Sequence, residues 1–211
     1  MNNQIRVKDY SGRNKKQVIV IHGGDAWDTH DEYIEYLKNY DFTQEKFDKV
    51  TSRRWKDSLQ ESLGDNFQVI KPGMPSSRNA KYNEWLIWFE KLLPYVVDGA
   101  ILVGHSLGAN FLAKYLAENM LDVDINQVHL VAGCYGAKGD FDLQESLKNV
   151  ENQCDNIYIY HSLDDFVVSF DDGKKYQVAL PNAVFVEFED RNHFLQEEFP
   201  EIVENIKSSM L

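Results

Sequence analysis

Short apolar runs rich in β-branched residues recur along this chain, and most are followed by a stretch whose apolar residues fall at helical intervals. That alternation constrains the fold most, because parallel strands joined by helices are buried on both faces and read as near-continuous apolar runs. Six runs are visible, at 17–22 (QVIVIH), 67–71 (FQVIK), 100–103 (AILV), 127–132 (QVHLVA), 157–161 (IYIYH) and 183–188 (AVFVEF). Helical candidates lie at 55–63, 83–93, 107–119, 143–150, 174–180 and 197–209. The pattern predicts an α/β architecture, a three-layer sandwich in which a mostly parallel sheet of about six strands is covered by helices on both faces.

The spacing is regular except between the first two runs. Residues 31–39 set Tyr33, Ile34 and Leu37 at helical intervals, and Thr43 stands where it would cap a second helix through Phe47 and Val50. A helical insertion over 25–52 is too long for an ordinary βα connection, and reads either as a lid over a binding site or as packed surface. Length suits a single domain over residues 1–211.

Lys and Arg number 22 against 34 Asp and Glu, a formal net charge of −12. A field of that sign repels phosphate backbones, so nucleic acid is not an expected partner, and it mildly disfavours a strongly anionic substrate. The basic clusters Arg13, Lys15, Lys16 and Arg53, Arg54, Lys56 read as solvated surface. No apolar run is long enough to span a membrane, and the polar first sixteen residues lack the apolar core of a secretory leader, so a cytoplasmic protein is expected. Cys134 and Cys154 form no CxxC pair and read as reduced thiols.

Between the third run and the helix after it stands Gly104-His105-Ser106-Leu107-Gly108. A serine hydroxyl that must project from a sharp strand-to-helix turn needs small flanks, which Gly104 and Gly108 supply. Ser106 is the candidate nucleophile. At the start of a helix, the N–H of Leu107 is a donor for a developing oxyanion. A second donor is expected after the first strand, at His22-Gly23-Gly24, from the N–H of Gly24 with Asp25 as the competing choice. His22 reads as support for that loop. An unactivated alcohol needs a base, and where the chain order is serine, acid, histidine, only His161 and His193 lie far enough beyond Ser106. His193, after the last strand, is the better candidate, since His161 itself ends a strand. The loop after the fifth strand offers Asp164 and Asp165, which spacing does not separate; Asp140 and Asp142 are fallbacks better read as caps or solvated residues. His30 and Asp31 alone are a poor metal signal, and neither metal nor organic cofactor is expected.

Taken together, Trp55, Met74-Pro75, Trp85, the Gly104 to Ala109 turn, Asp164-Asp165 and Asn192-His193-Phe194 resemble the small single-domain α/β-hydrolases typified by retinoblastoma-binding protein 9. The resemblance covers most of the chain after Trp55. It implies the α/β-hydrolase fold and a serine hydrolase acting on small ester or amide substrates, with thioesters open to the same chemistry, through an acyl-enzyme. It also selects Asp165, which directly precedes Phe166 where the family has an Asp-Pro-hydrophobic turn. The 25–52 segment, and Phe166 and Ser169 in place of prolines, depart from the family. Two other functions suit the same residues: an acyltransferase or thioesterase, and a non-catalytic protein-binding module whose partner the sequence does not name.

Overall fold

The computed structural model describes residues 15–136 and 139–208. The expectations placed on Arg13, on the amino-terminal segment and on Ser209 lie outside the described residues. Each of the six apolar runs forms a strand, to within two residues at either end: β1 Lys16–Ile21, β2 Phe67–Ile70, β3 Ala100–His105, β4 Ile125–Val131, β5 Ile157–Ser162 and β6 Val184–Phe188. They make one sheet in the order β2-β1-β3-β4-β5-β6, and every neighbouring pair is parallel.

The two-residue period of a strand divides the core into two layers. Val18 and Val20 of β1 face one side with Trp55, Leu59 and Leu63 of α3 (Trp55–Leu63) and Ile202 and Ile206 of α8 (Pro200–Ser208). Ile19 and Ile21 face the other, with Trp85 and Phe89 of α4 (Tyr82–Leu92), Phe111 and Leu112 of α5 (Leu107–Glu118) and Tyr176 of α7 (Phe170–Ala179). The central strand β3 is buried along its whole length, as a strand covered on both faces should be.

α8 starts three residues later than expected, at Pro200, and two other helices differ more from the expected spans. The stretch 143–150 is helical only at α6, Lys148–Glu151, because the carbonyls of Gln144 and Glu145 accept from the Tyr135 hydroxyl, at 2.7 and 3.4 Å. Leu143 and Leu147 still pack against the core, from an irregular backbone. α7 begins earlier than apolar spacing suggests, at Phe170, where the Ser169 hydroxyl accepts from the N–H of Asp171. The insertion folds as α1 (His30–Asn39) and α2 (Gln44–Thr51), capped by Thr29 and Thr43, and α1 buries none of its residues.

Candidate active site

From β1 the chain runs outward to β2, then returns to β3 on the other side of β1. The carboxyl ends of β1 and β3 therefore flank a crevice at the point where strand order reverses, the place where open α/β sheets bind ligands. His22-Gly23-Gly24 leaves β1 there, and Ser106 leaves β3.

Ser106 sits between strand and helix with φ 55° and ψ −126°, a conformation costing a side-chain-bearing residue about 1–3 kcal/mol. Neighbouring backbone holds it: its N–H donates to the carbonyl of Val131 at 2.8 Å, and its own carbonyl accepts from Ala109 at 2.8 Å. The flanking glycines are required by space. A Cβ on Gly104 would lie 2.5 Å from the carbonyl oxygen of Gly108, and one on Gly108 would meet the carbonyls of Ile21 and His22. A Cβ on Gly23 would come within 2.9 Å of the Ser106 Cβ, so the loop after β1 lies directly against the serine.

The structure brings His193 and Asp165 together, Nδ1 to Oδ2 at 2.8 Å, and separates the two aspartates that spacing leaves equal. Asp165 is enclosed, and its other oxygen accepts from the N–H groups of Val167 (2.8 Å) and Val168 (3.0 Å). Burial alone would raise its pKa, but the hydrogen bond and charge of His193 and the two backbone donors together hold it below the usual carboxylate value. Asp164 turns to the chain instead, taking the Ser162 hydroxyl at 2.6 Å and the N–H of Asn192 at 2.8 Å. Ser106 and His193 line one cavity of about 530 Å³. No hydrogen bond joins the serine hydroxyl to the imidazole in this structure, a contact that commonly tightens only once substrate is bound.

Of the two candidates for the second oxyanion donor, Asp25 gives its N–H to the carbonyl of Ser77 at 2.8 Å, which leaves Gly24. Leu107 opens α5, where its N–H has no carbonyl one turn earlier within the helix. His22 supports the loop as expected. Its Nε2 accepts from the N–H of Met74 (2.8 Å), so its Nδ1 carries the proton and donates to the carbonyl of Gly23 (2.7 Å). His161 is buried beneath Gly173 of α7, and burial pushes its pKa down to about 4. Asp140 caps α4 by accepting from the N–H of Tyr82 at 3.0 Å, and Asp142 is exposed.

Sequence reasoning missed the group that holds the His193 loop. Asn192 and Phe194, on either side of the histidine, both have positive φ, 48° and 53°. Trp55 donates its indole N–H to the carbonyl of Phe194 (2.9 Å) and its backbone N–H to the carbonyl of Gln196 (2.8 Å). His105 reaches the carbonyl of His193 itself through Nε2 at 2.9 Å, while its Nδ1 lies 2.8 Å from Lys56 Nζ. An ammonium only donates and a carbonyl only accepts, so these contacts fix His105 as the neutral Nε2–H tautomer. Burial, then the adjacent Lys56 cation, holds its pKa well below the ordinary value. Lys56 and Arg54, expected as solvated surface, instead line the cavity. Only the position of His105 beside the serine was visible in the sequence; nothing there linked it to Lys56. Tyr36, Tyr40 and Val50 of the insertion form part of the cavity wall. Among the described residues no group of three or more His, Cys, Asp or Glu is arranged to hold a metal ion, and no helix is long and apolar enough to cross a membrane.

An all-parallel sheet with a positive-φ serine at the β3–α5 turn is an α/β-hydrolase fold. The ydeN gene product of B. subtilis shares it with a TM-score of 0.71 at 20% identity, covering 93% of this chain and 99% of that one. A YdeN-like hydrolase from Pectobacterium atrosepticum superposes with a TM-score of 0.61 at 15% identity, covering 92% and 91%. In sequence the chain is similar to the serine hydrolase RBBP9 of Rattus norvegicus, 27% identical over 168 residues that cover 76% of this chain and 89% of the rat protein. No protein-family model matches the chain. It is thus a serine-hydrolase homologue with an α/β-hydrolase fold.

Proposed function

We propose that this chain is a serine hydrolase that cleaves small ester substrates through an acyl-enzyme, with amides and thioesters open to the same chemistry. The observation that carries the reading is the 2.8 Å contact between His193 and Asp165 at a cavity that the positive-φ Ser106 also lines. Asp165 accepts a hydrogen bond from the Nδ1–H and remains ionised, so the opposite ring nitrogen is left to accept the serine proton. Ser106 Oγ attacks the carbonyl carbon and its proton passes to His193. The N–H groups of Leu107 and Gly24 receive the negative charge that develops on the carbonyl oxygen. His193 returns the proton to the leaving alkoxide as the ester bond breaks. Water then attacks the acyl group by the same proton relay, releasing the acid and free Ser106.

The insertion acts in this reading as a lid, supported by Tyr36, Tyr40 and Val50 on the cavity wall. The free thiols of Cys134 and Cys154 are in keeping with a reducing compartment such as the cytoplasm. Ser106→Ala should lower turnover of 4-nitrophenyl acetate by about 10⁴-fold or more without loss of folding. A fluorophosphonate should label the parent protein at Ser106. Undiminished hydrolysis by the variant, or an unlabelled serine in the parent, overturns the proposal; the second result leaves a binding module on a hydrolase scaffold.

A further inference from the structure

Among the described residues, the cations Lys46, Arg54, Lys56 and Arg78 line the cavity against one carboxylate, Asp25. The chain as a whole has the opposite balance, 22 basic to 34 acidic residues. A surface drawn at random from this chain would be acid-rich, so the inversion is local to the cleft that holds Ser106 and His193.

Two of the cations are held there against local preference. Arg54 is the N-cap of α3 and Lys56 lies in its first turn, the positive end of a helix, where cations are disfavoured. Lys56 is partly enclosed, and its neutral partner is the His105 imidazole at 2.8 Å. Its pKa is pushed down to about 8, first by burial and then by Arg54 and Lys71, with Asp57 opposing. Lys46 donates to the carbonyl of Asp41 at 2.6 Å and lies 4.4 Å over the Tyr40 ring. The guanidinium of Arg54 donates to the carbonyl of Lys49 at 3.4 Å. None of these acceptors is a carboxylate. Arg78 faces Asp25 at 3.9 Å, and burial pushes the Asp25 carboxyl up, with Arg78 offsetting this in part. A cleft lined mainly by one sign of charge, walled partly by tyrosine and valine side chains, concentrates ligands of the other sign.

We infer that the substrate of this site carries an anionic group, a carboxylate or a phosphate, on the portion that lies among Lys46, Arg54, Lys56 and Arg78. The assignment rests on the hydrolase reading of Ser106 and deepens it by naming the substrate class. The acidic exterior and the cationic cleft together favour a small anion over an extended polyanion.

The test compares three 4-nitrophenyl esters of similar length: the neutral pentanoate, the hydrogen glutarate and the 4-phosphonobutanoate. At low salt the better anionic ester should exceed the pentanoate in kcat/KM by about tenfold or more. The preference should shrink as salt shortens the Debye length, and in the double variant Lys46→Gln, Arg78→Gln. The two anionic arms show which headgroup the cleft takes. If the pentanoate is turned over in a Ser106-dependent way and both anionic esters react no faster, the anion assignment falls while the hydrolase reading stands. If no ester is cleaved and a fluorophosphonate leaves Ser106 unlabelled, the hydrolase reading falls. Calorimetric titration of Ser106→Ala with glutarate and with inorganic phosphate, needing no turnover, tests the anion site by itself. Saturable, salt-sensitive binding that weakens in Lys46→Gln, Arg78→Gln supports it, and absence of binding by both anions overturns it.

Discussion

Replacing Asp165 by asparagine tests the site through one proton. The carboxylate accepts three hydrogen bonds, from His193 Nδ1 and from the N–H groups of Val167 and Val168. An asparagine carbonyl can keep the two backbone bonds, but its NH₂ then faces the protonated Nδ1, donor against donor. The imidazole escapes by moving its proton to the opposite nitrogen, where it can no longer accept from a serine hydroxyl. In serine proteases the equivalent change lowers turnover about 10⁴-fold, which at about 1.36 kcal/mol per decade is roughly 5 kcal/mol of barrier. The loss of stability is smaller. One charge-assisted hydrogen bond is worth about 1.5–3 kcal/mol, or roughly 5–10 °C in Tm for a chain of this size. Its pH dependence has a definite sign. The pKa of Asp165 is depressed in the folded chain, so its contribution is present above the unfolded carboxylate pKa and lost as pH falls through the folded value. The difference in stability between parent and variant should therefore close in acid. Esterase kinetics with 4-nitrophenyl acetate, with thermal unfolding followed from neutral to acidic pH, reads both effects. Asp164→Asn is the comparison, because an amide oxygen can still take the Ser162 hydroxyl and the Asn192 N–H. A folded Asp165→Asn protein within tenfold of parental activity, or greater loss at position 164, would refute the reasoning.

Trp55→Phe removes the indole donor to the Phe194 carbonyl in a buried setting and should cost about 1–3 kcal/mol in denaturant unfolding; kcat should fall with it as the His193 loop loosens, and an unchanged midpoint would rule out that pin. Lys56 binds fewer protons folded than unfolded between about 8 and 10.5, so its contribution makes stability rise with pH across that window, and Lys56→Gln should flatten that slope in unfolding measured from pH 7 to 11. Replacing residues 30–51 by a short glycine-serine linker should broaden selectivity across 4-nitrophenyl esters of graded acyl length, whereas an unaltered profile would reduce α1 and α2 to surface packing.

The sheet was legible because its strands are buried on both faces, so their apolar runs persist whatever the connecting helices do. Helix boundaries were less so. The 143–150 stretch has the right apolar spacing, but the Tyr135 hydroxyl takes two of its carbonyls, a tertiary contact that no local pattern contains. Ser106 could be read because a turn this tight forces glycine on its neighbours, leaving a mark in adjacent residues. The choice between Asp164 and Asp165 left none, since one residue of spacing decides only which carboxylate points across the loop. The parts played by His105 and Trp55 were hidden for a different reason. Each acts on the backbone of the His193 segment, a bond to a carbonyl that any residue presents, and such a partner imposes no residue type at the far end.

Charge gave the largest departure from expectation, and the reason is one of length scale. A net charge of −12 describes the field many ångströms from the surface, whereas a bound substrate feels groups within one Debye length, about 10 Å at moderate salt. Arg54 and Lys56 are adjacent to the acidic Asp57 and Glu61 in sequence, so a window average there is near neutral. Folding separates them. Asp57 turns to the N–H of Arg54 and to Lys71, Glu61 pairs with Arg53 at 2.7 Å, and the side chains of Arg54 and Lys56 are left at the cavity. α2 then brings Lys46 and Lys49 to the same cavity from a segment with no local cue to its destination. The sign of the potential at Ser106 is therefore a property of how α2, α3 and the loop after β2 converge on the end of β3, and any substrate that enters meets that potential before it meets the serine.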